Sequence, residues 1–169
     1  SFGVTQIFSN SNAFAALKSD GSVVTWGLSY HGGDSSSVSS DLSSGVTGIF
    51  STSYAFAALK SDGSVVTWGH ADNGGDSSSV SSDLSSGVTD IFSTNGLYPR
   101  SGAFAALKSD GSVVTWGHAD YGGDSSSVSS DLSSGVTDIF STRNGAFAAL
   151  KSDGSVVTWG SSSDGGDSS

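Results

Sequence analysis

Apolar and polar positions along the chain follow a pattern that is written four times. The run Ala-Phe-Ala-Ala-Leu-Lys-Ser-Asp-Gly-Ser-Val-Val-Thr-Trp-Gly spans residues 13–27 and recurs unchanged at 55–69, 103–117 and 146–160. Two strand-like stretches, 13–18 and 22–26, flank Asp20-Gly21. That dipeptide reads as a two-residue type I′ hairpin turn, because both central positions need positive φ and Asp-Gly tolerates it at little cost. A two-residue turn sets Ser19 opposite Ser22, Leu17 opposite Val24, Ala16 opposite Thr25 and Ala15 opposite Trp26. One face of the ribbon would then carry Ala15, Leu17, Val24 and Trp26, and the other Phe14, Ala16 and Val23. Neither face is polar, so the ribbon is expected to lie between two neighbours, with the alanines letting them approach closely.

Ahead of each hairpin stands a short β-branched and aromatic run: Val4-Thr5-Gln6-Ile7-Phe8, then its counterparts from Val46, Val88 and Val136. Its middle position (Gln6, Gly48, Asp90, Asp138) is expected to face solvent. After each Trp-Gly comes a variable loop ending in Gly-Gly-Asp. A serine-rich connector follows, Ser35-Ser-Ser-Val38-Ser-Ser-Asp41-Leu42-Ser-Ser-Gly45 in the first repeat. Val38 and Leu42 are four residues apart, Asp34 suits a helix N-cap and Gly45 a helix stop, so a short helix is expected over a disordered tether.

The turn aspartates at 20, 62, 110 and 153 give a period typical of propeller blades and of some solenoids. The repeats read as 3–45, 45–87, 87–135 and 135–169 within one repeat domain, 1–169. No repeat is expected to fold alone. Its few large apolar side chains each contribute about 1.5–3 kcal/mol on burial, against a loss of roughly 1–2 kcal/mol of backbone freedom per residue. The expected fold is all-β: a four-repeat, β-propeller-like array of roughly three-stranded antiparallel sheets with short helical connectors, the alternative being an open β superhelical solenoid. Four sheets with three connectors suit either a closed ring or a slice of a longer array, and a start at Ser1 reads as a mature, trimmed or excised product.

The first strand, the Ala-Phe-Ala-Ala-Leu to Trp-Gly hairpin and the Tyr30-His31-Gly32-Gly33-Asp34 loop together resemble the repeat of the regulator of chromosome condensation family. The resemblance covers most of every repeat. It implies a β-propeller whose blades are these strands and, as in many members, a role in protein binding. The chain departs from the family where Gly-Gln-Leu-Gly is replaced by Gly-Gly-Asp-Ser-Ser-Ser-Val, and nucleotide exchange is not carried over.

Composition narrows the partners. A net charge of −10 repels nucleic acid and anionic membranes and favours a cationic partner. No run is long and apolar enough to span a bilayer, so no membrane insertion is expected. Cysteine is absent, so disulfides are excluded. The compartment is unknown from the sequence, an extracellular or cell-surface setting being favoured.

Residues identical in all four repeats serve the shared fold, which assigns Trp26, Trp68, Trp116 and Trp159 to packing. Residues that vary are free for other work. The third repeat carries the insertion Asn95-Gly96-Leu97-Tyr98-Pro99-Arg100-Ser101-Gly102, whose Leu97, Tyr98 and Arg100 are interface-anchoring types; Tyr54 and Arg143 occupy the matching loop of neighbouring repeats. These five form the expected partner-binding set. A second set, Tyr30, His31, His70, His118 and Tyr121, lies in the loops after the hairpins and suits a carbohydrate-binding or adhesive surface. Ser-His-Asp catalysis lacks a Gly-x-Ser-x-Gly elbow, and the fourth repeat lacks the histidine. The Asp72-Asn73-Gly74-Gly75-Asp76 and Asp164-Gly165-Gly166-Asp167 loops match neither calcium spacing, so neither metal nor cofactor is expected. The sequence therefore predicts a non-catalytic, acidic, Ser-rich scaffold that binds a protein partner, possible also as one part of a larger array or assembly.

Overall fold

Each repeat forms its own three-stranded antiparallel sheet, a meander whose spatial order is its chain order. The strands are β1 (Val4–Ser9), β2 (Ala13–Lys18) and β3 (Val23–Gly27) in the first sheet and β4 (Val46–Ser51), β5 (Ala55–Lys60) and β6 (Val65–Gly69) in the second. The third sheet contains β7 (Val88–Ser93), β8 (Ala103–Lys108) and β9 (Val113–Gly117), and the fourth β10 (Val136–Ser141), β11 (Ala146–Lys151) and β12 (Val156–Gly160). The computed structural model describes residues 3–95 and 102–168. The result is an all-β, propeller-like repeat array.

The hairpin register differs by one residue from the sequence reading. Leu17 pairs with Val23, Ala16 with Val24, Ala15 with Thr25 and Phe14 with Trp26. The turn is a three-residue loop, Ser19-Asp20-Gly21: the Gly21 N–H donates to the Lys18 carbonyl at 2.9 Å and the Lys18 N–H to the Ser22 carbonyl at 2.9 Å. Only Gly21 has positive φ, at 75°. Asp20 plays a different part, its Oδ1 accepting from the Ser22 N–H at 3.0 Å and the Ser22 hydroxyl at 2.6 Å, which fixes a turn followed by a glycine bulge. Phe14 and Trp26 therefore share a face and stack with ring centroids 5.3 Å apart. The faces are Ala13, Ala15, Leu17, Val23 and Thr25 on one side and Phe14, Ala16, Val24 and Trp26 on the other.

Both faces remain apolar after the shift, and sheets stack in chain order as two-sided apolarity requires. The core between the first two sheets takes Ala13, Ala15, Leu17, Phe8 and Val23 from one sheet and Val46, Ile49, Phe56, Ala58, Val66 and Trp68 from the next. The same two halves recur at the next two junctions. One half is small and alanine-lined; the other carries the stacked Phe-Trp pair that fills it. Each buried indole also donates to the preceding repeat: Trp68 Nε1 to Gly32 O, Trp116 Nε1 to Gly74 O and Trp159 Nε1 to Gly122 O, at 3.0, 3.1 and 3.1 Å. The first strands are joined by a serine ladder, Ser51 Oγ donating to Ser9 O, Ser93 Oγ to Ser51 O and Ser141 Oγ to Ser93 O.

The connectors are ordered, but not as one α-helical segment. Ser36–Val38 is a 3₁₀ turn entered through Asp34, whose Oδ1 accepts from the Ser36 N–H at 2.9 Å. A single longer-range bond, Leu42 N–H to Val38 O at 3.1 Å, brings Leu42 down between the sheets, where it is buried. Serine explains the difference, because its hydroxyl takes nearby backbone carbonyls for itself, as Ser43 Oγ does with Ser40 O at 2.7 Å.

Candidate functional site: the strand-end rim

A three-stranded meander returns its third strand to the end where its first strand finished. The loops between first and second strands and the loops after third strands therefore emerge together, and two residue sets that the sequence separates meet on one rim. Asn10 ties the two loops of the first sheet: its Oδ1 accepts from the Ala13 N–H at 2.8 Å and its Nδ2 donates to His31 O at 2.7 Å. Thr52 and Thr94, both fully buried, do the same work in the next two sheets. The Thr52 hydroxyl accepts from Ala55 N–H at 3.1 Å and donates to Asn73 O at 2.9 Å. The Thr94 hydroxyl accepts from Ala103 N–H and donates to Tyr121 O, each at 3.1 Å. Sequence reasoning passed over these anchors. Their signal is a hydroxyl or amide in the same place, directly after each first strand.

Neighbouring loops are also tied to each other, Ser11 N–H donating to Ser53 O at 3.2 Å and Asn95 N–H to Arg143 O at 3.0 Å. On this base four rings from two repeats gather. His31 lies 4.1 Å from Tyr54 and Tyr30 4.5 Å from His70, edge to face. The His31 Nδ1 sits 3.0 Å from Asn12 Oδ1. Burial, and then the proximity of His70, lower the His31 pKa below its ordinary value, so its ring is neutral at pH 7. His118 and Tyr121 pair at 5.0 Å further along the rim, where Tyr121 also packs on Gly145. Tyr30 is 61% exposed and Arg143 is exposed. Leu97, Tyr98 and Arg100 lie outside the described residues. Tyr54 and Arg143 thus share a rim, but in different halves of it: Tyr54 belongs with the first two sheets and Arg143 with the last two.

Some of the rim is polar without partners. His70 and Asn73 are buried, and neither His70 nitrogen nor the Asn73 amide atoms have a hydrogen-bond partner among the described residues. Each such atom costs about 1–3 kcal/mol. Beside Tyr30 a groove of about 490 Å³ runs over Trp68 and Thr67, with Asp34 and Ser36 on its wall. Hydrogen bonds from the Ser36 N–H and hydroxyl hold the Asp34 carboxyl below the usual carboxylate range. The groove therefore offers an exposed aromatic ring beside a fixed negative charge. Among the described residues no group of three or more His or acidic side chains is placed to hold a metal ion.

No protein-family model matches the chain, and no curated protein matches it. Solved structures do. Yeast RCC1 (Prp20) bound to Kap60 matches with a TM-score of 0.58 at 14% identity, over 94% of this chain and 44% of that one. Prp20p from Saccharomyces cerevisiae, in a structure described together with its binding properties to Gsp1p and histones, gives 0.57 at 19% identity over 93% and 44%. Human WBSCR16 gives 0.55 at 17% identity over 94% and 48%. The chain spans less than half the length of these proteins. At such identities the likeness establishes the RCC1-like repeat fold and nothing finer.

Proposed function

We propose that the chain is a non-catalytic repeat scaffold that holds a basic protein partner on the strand-end rim. The observation that carries this reading is the four-ring cluster of Tyr30, His31, Tyr54 and His70, which opens through an exposed Tyr30 onto a groove with Asp34 on its wall. The hairpin residues constant in every repeat build the shared fold, and most positions that differ between repeats lie in the loops of this rim. Aromatic anchors beside fixed carboxylates, on a chain of net charge −10, fit lysine- and arginine-rich segments. Arg143 is exposed on the same rim at the later repeats. Prp20, of the same fold, is described as binding Kap60, Gsp1p and histones, which supports a protein partner.

Catalysis finds little support in the same geometry. Among the described residues His31 bonds through Nδ1 to Asn12 and neither His70 nitrogen has a partner, so no serine hydroxyl is paired with either ring. The carbohydrate reading loses Tyr121 as an open stacking platform, because its ring is held between His118 and Gly145. The test is fluorescence anisotropy with purified core histones as the basic probe. Binding that weakens with salt, and about tenfold or more in a Tyr30→Ala/Tyr54→Ala variant (about 1.4 kcal/mol), supports the rim. Unchanged binding in that variant and in a deletion of 97–100 removes it.

A further inference from the structure

Three junctions join the four sheets, and each joins the same two unlike halves. The Phe-Trp half appears four times in the chain but is covered only three times; the alanine-lined half likewise. On the first sheet the Phe-Trp half faces outward. Ile7 is 62% exposed where Ile49, Ile91 and Ile139 are 1–3% exposed, and Trp26 is 43% exposed where Trp68, Trp116 and Trp159 are 2–3% exposed. On the fourth sheet the alanine-lined half faces outward, leaving Phe140, Leu150 and Val156 at 58%, 37% and 56%. The polar groups are left over in the same complementary way. The Trp26 indole has no acceptor among the described residues, while the Gly165 carbonyl, counterpart of Gly32, Gly74 and Gly122, receives no donor there. Around the Gly165 Cα there is open space, whereas the same point on Gly32, Gly74 and Gly122 is filled by the next sheet's phenylalanine ring.

We infer that the occupant of these end faces is a second copy of this chain, docked head to tail, the fourth sheet of one copy against the first sheet of the next. The fit is already realised three times inside the chain with the same residue types, and the new contact continues that series. It would place the Trp26 N–H against Gly165 O and add a Ser9–Ser141 rung to the serine ladder. Pairing two first sheets face to face would instead press one protruding Phe-Trp stack on another and leave both indoles without an acceptor. A contact between copies is not held by a covalent link, so unlike an internal junction it responds to concentration. Because its halves are unlike, it builds rings where the rotation closes and open chains where it does not.

Sedimentation equilibrium across the micromolar range tests this. The 169-residue chain should show masses of two or more copies of 16.8 kDa, with a red shift of tryptophan emission on dilution as Trp26 is uncovered. Ile7→Lys and Phe140→Asp alter side chains exposed in the single chain, so each variant keeps its fold and should be monomeric alone. Mixed in equal amounts they should form a one-to-one pair that grows no further, since one usable face of each survives. A wild-type chain that stays monomeric at every concentration overturns the inference. So does a Phe140→Asp variant that assembles as the wild type does, which would mean that first sheets pair with each other.

Discussion

Trp26 and Trp116 sit in identical fifteen-residue hairpins and stack on Phe14 and Phe104 in almost the same way, at 5.3 and 5.2 Å. Yet Trp26 is half in solvent with no acceptor for its indole among the described residues, and Trp116 is 3% exposed with its N–H on Gly74 O. The local sequence makes the hairpin and the ring stack in both places. Burial and the hydrogen bond come from the sheet in front, so most of the stability resides in junctions and little in the repeats themselves.

The sharpest test of that contrast is to truncate both rings. Trp116→Ala should cost about 3–5 kcal/mol, whereas Trp26→Ala, measured by urea unfolding at dilutions where copies are apart, should cost about 1 kcal/mol or less. Equal losses would break the comparison. A glycine pair sharpens it further. Gly74 and Gly165 both have positive φ, 93° and 103°, but a Cβ on Gly74 would lie 2.5 Å from the Phe104 ring while one on Gly165 meets nothing. Gly165→Ala should therefore cost only the backbone strain of about 1–2 kcal/mol, and Gly74→Ala about 1–3 kcal/mol more, read from the same unfolding curves.

Smaller effects are expected on the rim. His70→Leu copies the residue that the first repeat has at this position, Leu28, and removes two unpartnered buried nitrogens. It should raise stability by about 1 kcal/mol while weakening partner binding through loss of the Tyr30 contact. The smallest change is in pH. His31 has its pKa lowered in the folded chain, so the unfolded chain binds the proton more readily. Stability is then full above the ordinary value near 6.5 and declines as pH falls below it, until the folded ring also protonates. Thermal melts between pH 7.5 and 5 should show the decline, and His31→Gln should flatten it (about pH 6.5 as its upper edge).

Strand positions, sheet number and the junction-forming residues were legible because the chain repeats itself and the two-residue alternation of its strands is clear. The register was not. Asp20-Gly21 alone favours a tighter turn, and the deciding contacts run from Asp20 to Ser22, in a Ser-Asp-Gly-Ser segment whose second serine is the cue. The connector fooled a helix reading because Val38 and Leu42 have helical spacing and the serines between them do not support one. On the rim, the candidate residues of both loop sets were named, but their convergence was not seen. It follows from the odd number of strands per sheet, and Thr52 and Thr94 hold it together although they look like ordinary polar residues.

In the serine ladder every rung is a side chain of one repeat on the main-chain oxygen of the previous one. Main-chain oxygens are the same whatever residue bears them. Copying or deleting the DNA for one whole unit would thus leave every remaining rung intact and both termini chemically unchanged. An array of such units can therefore gain or lose a whole repeat without any rung losing its kind of acceptor.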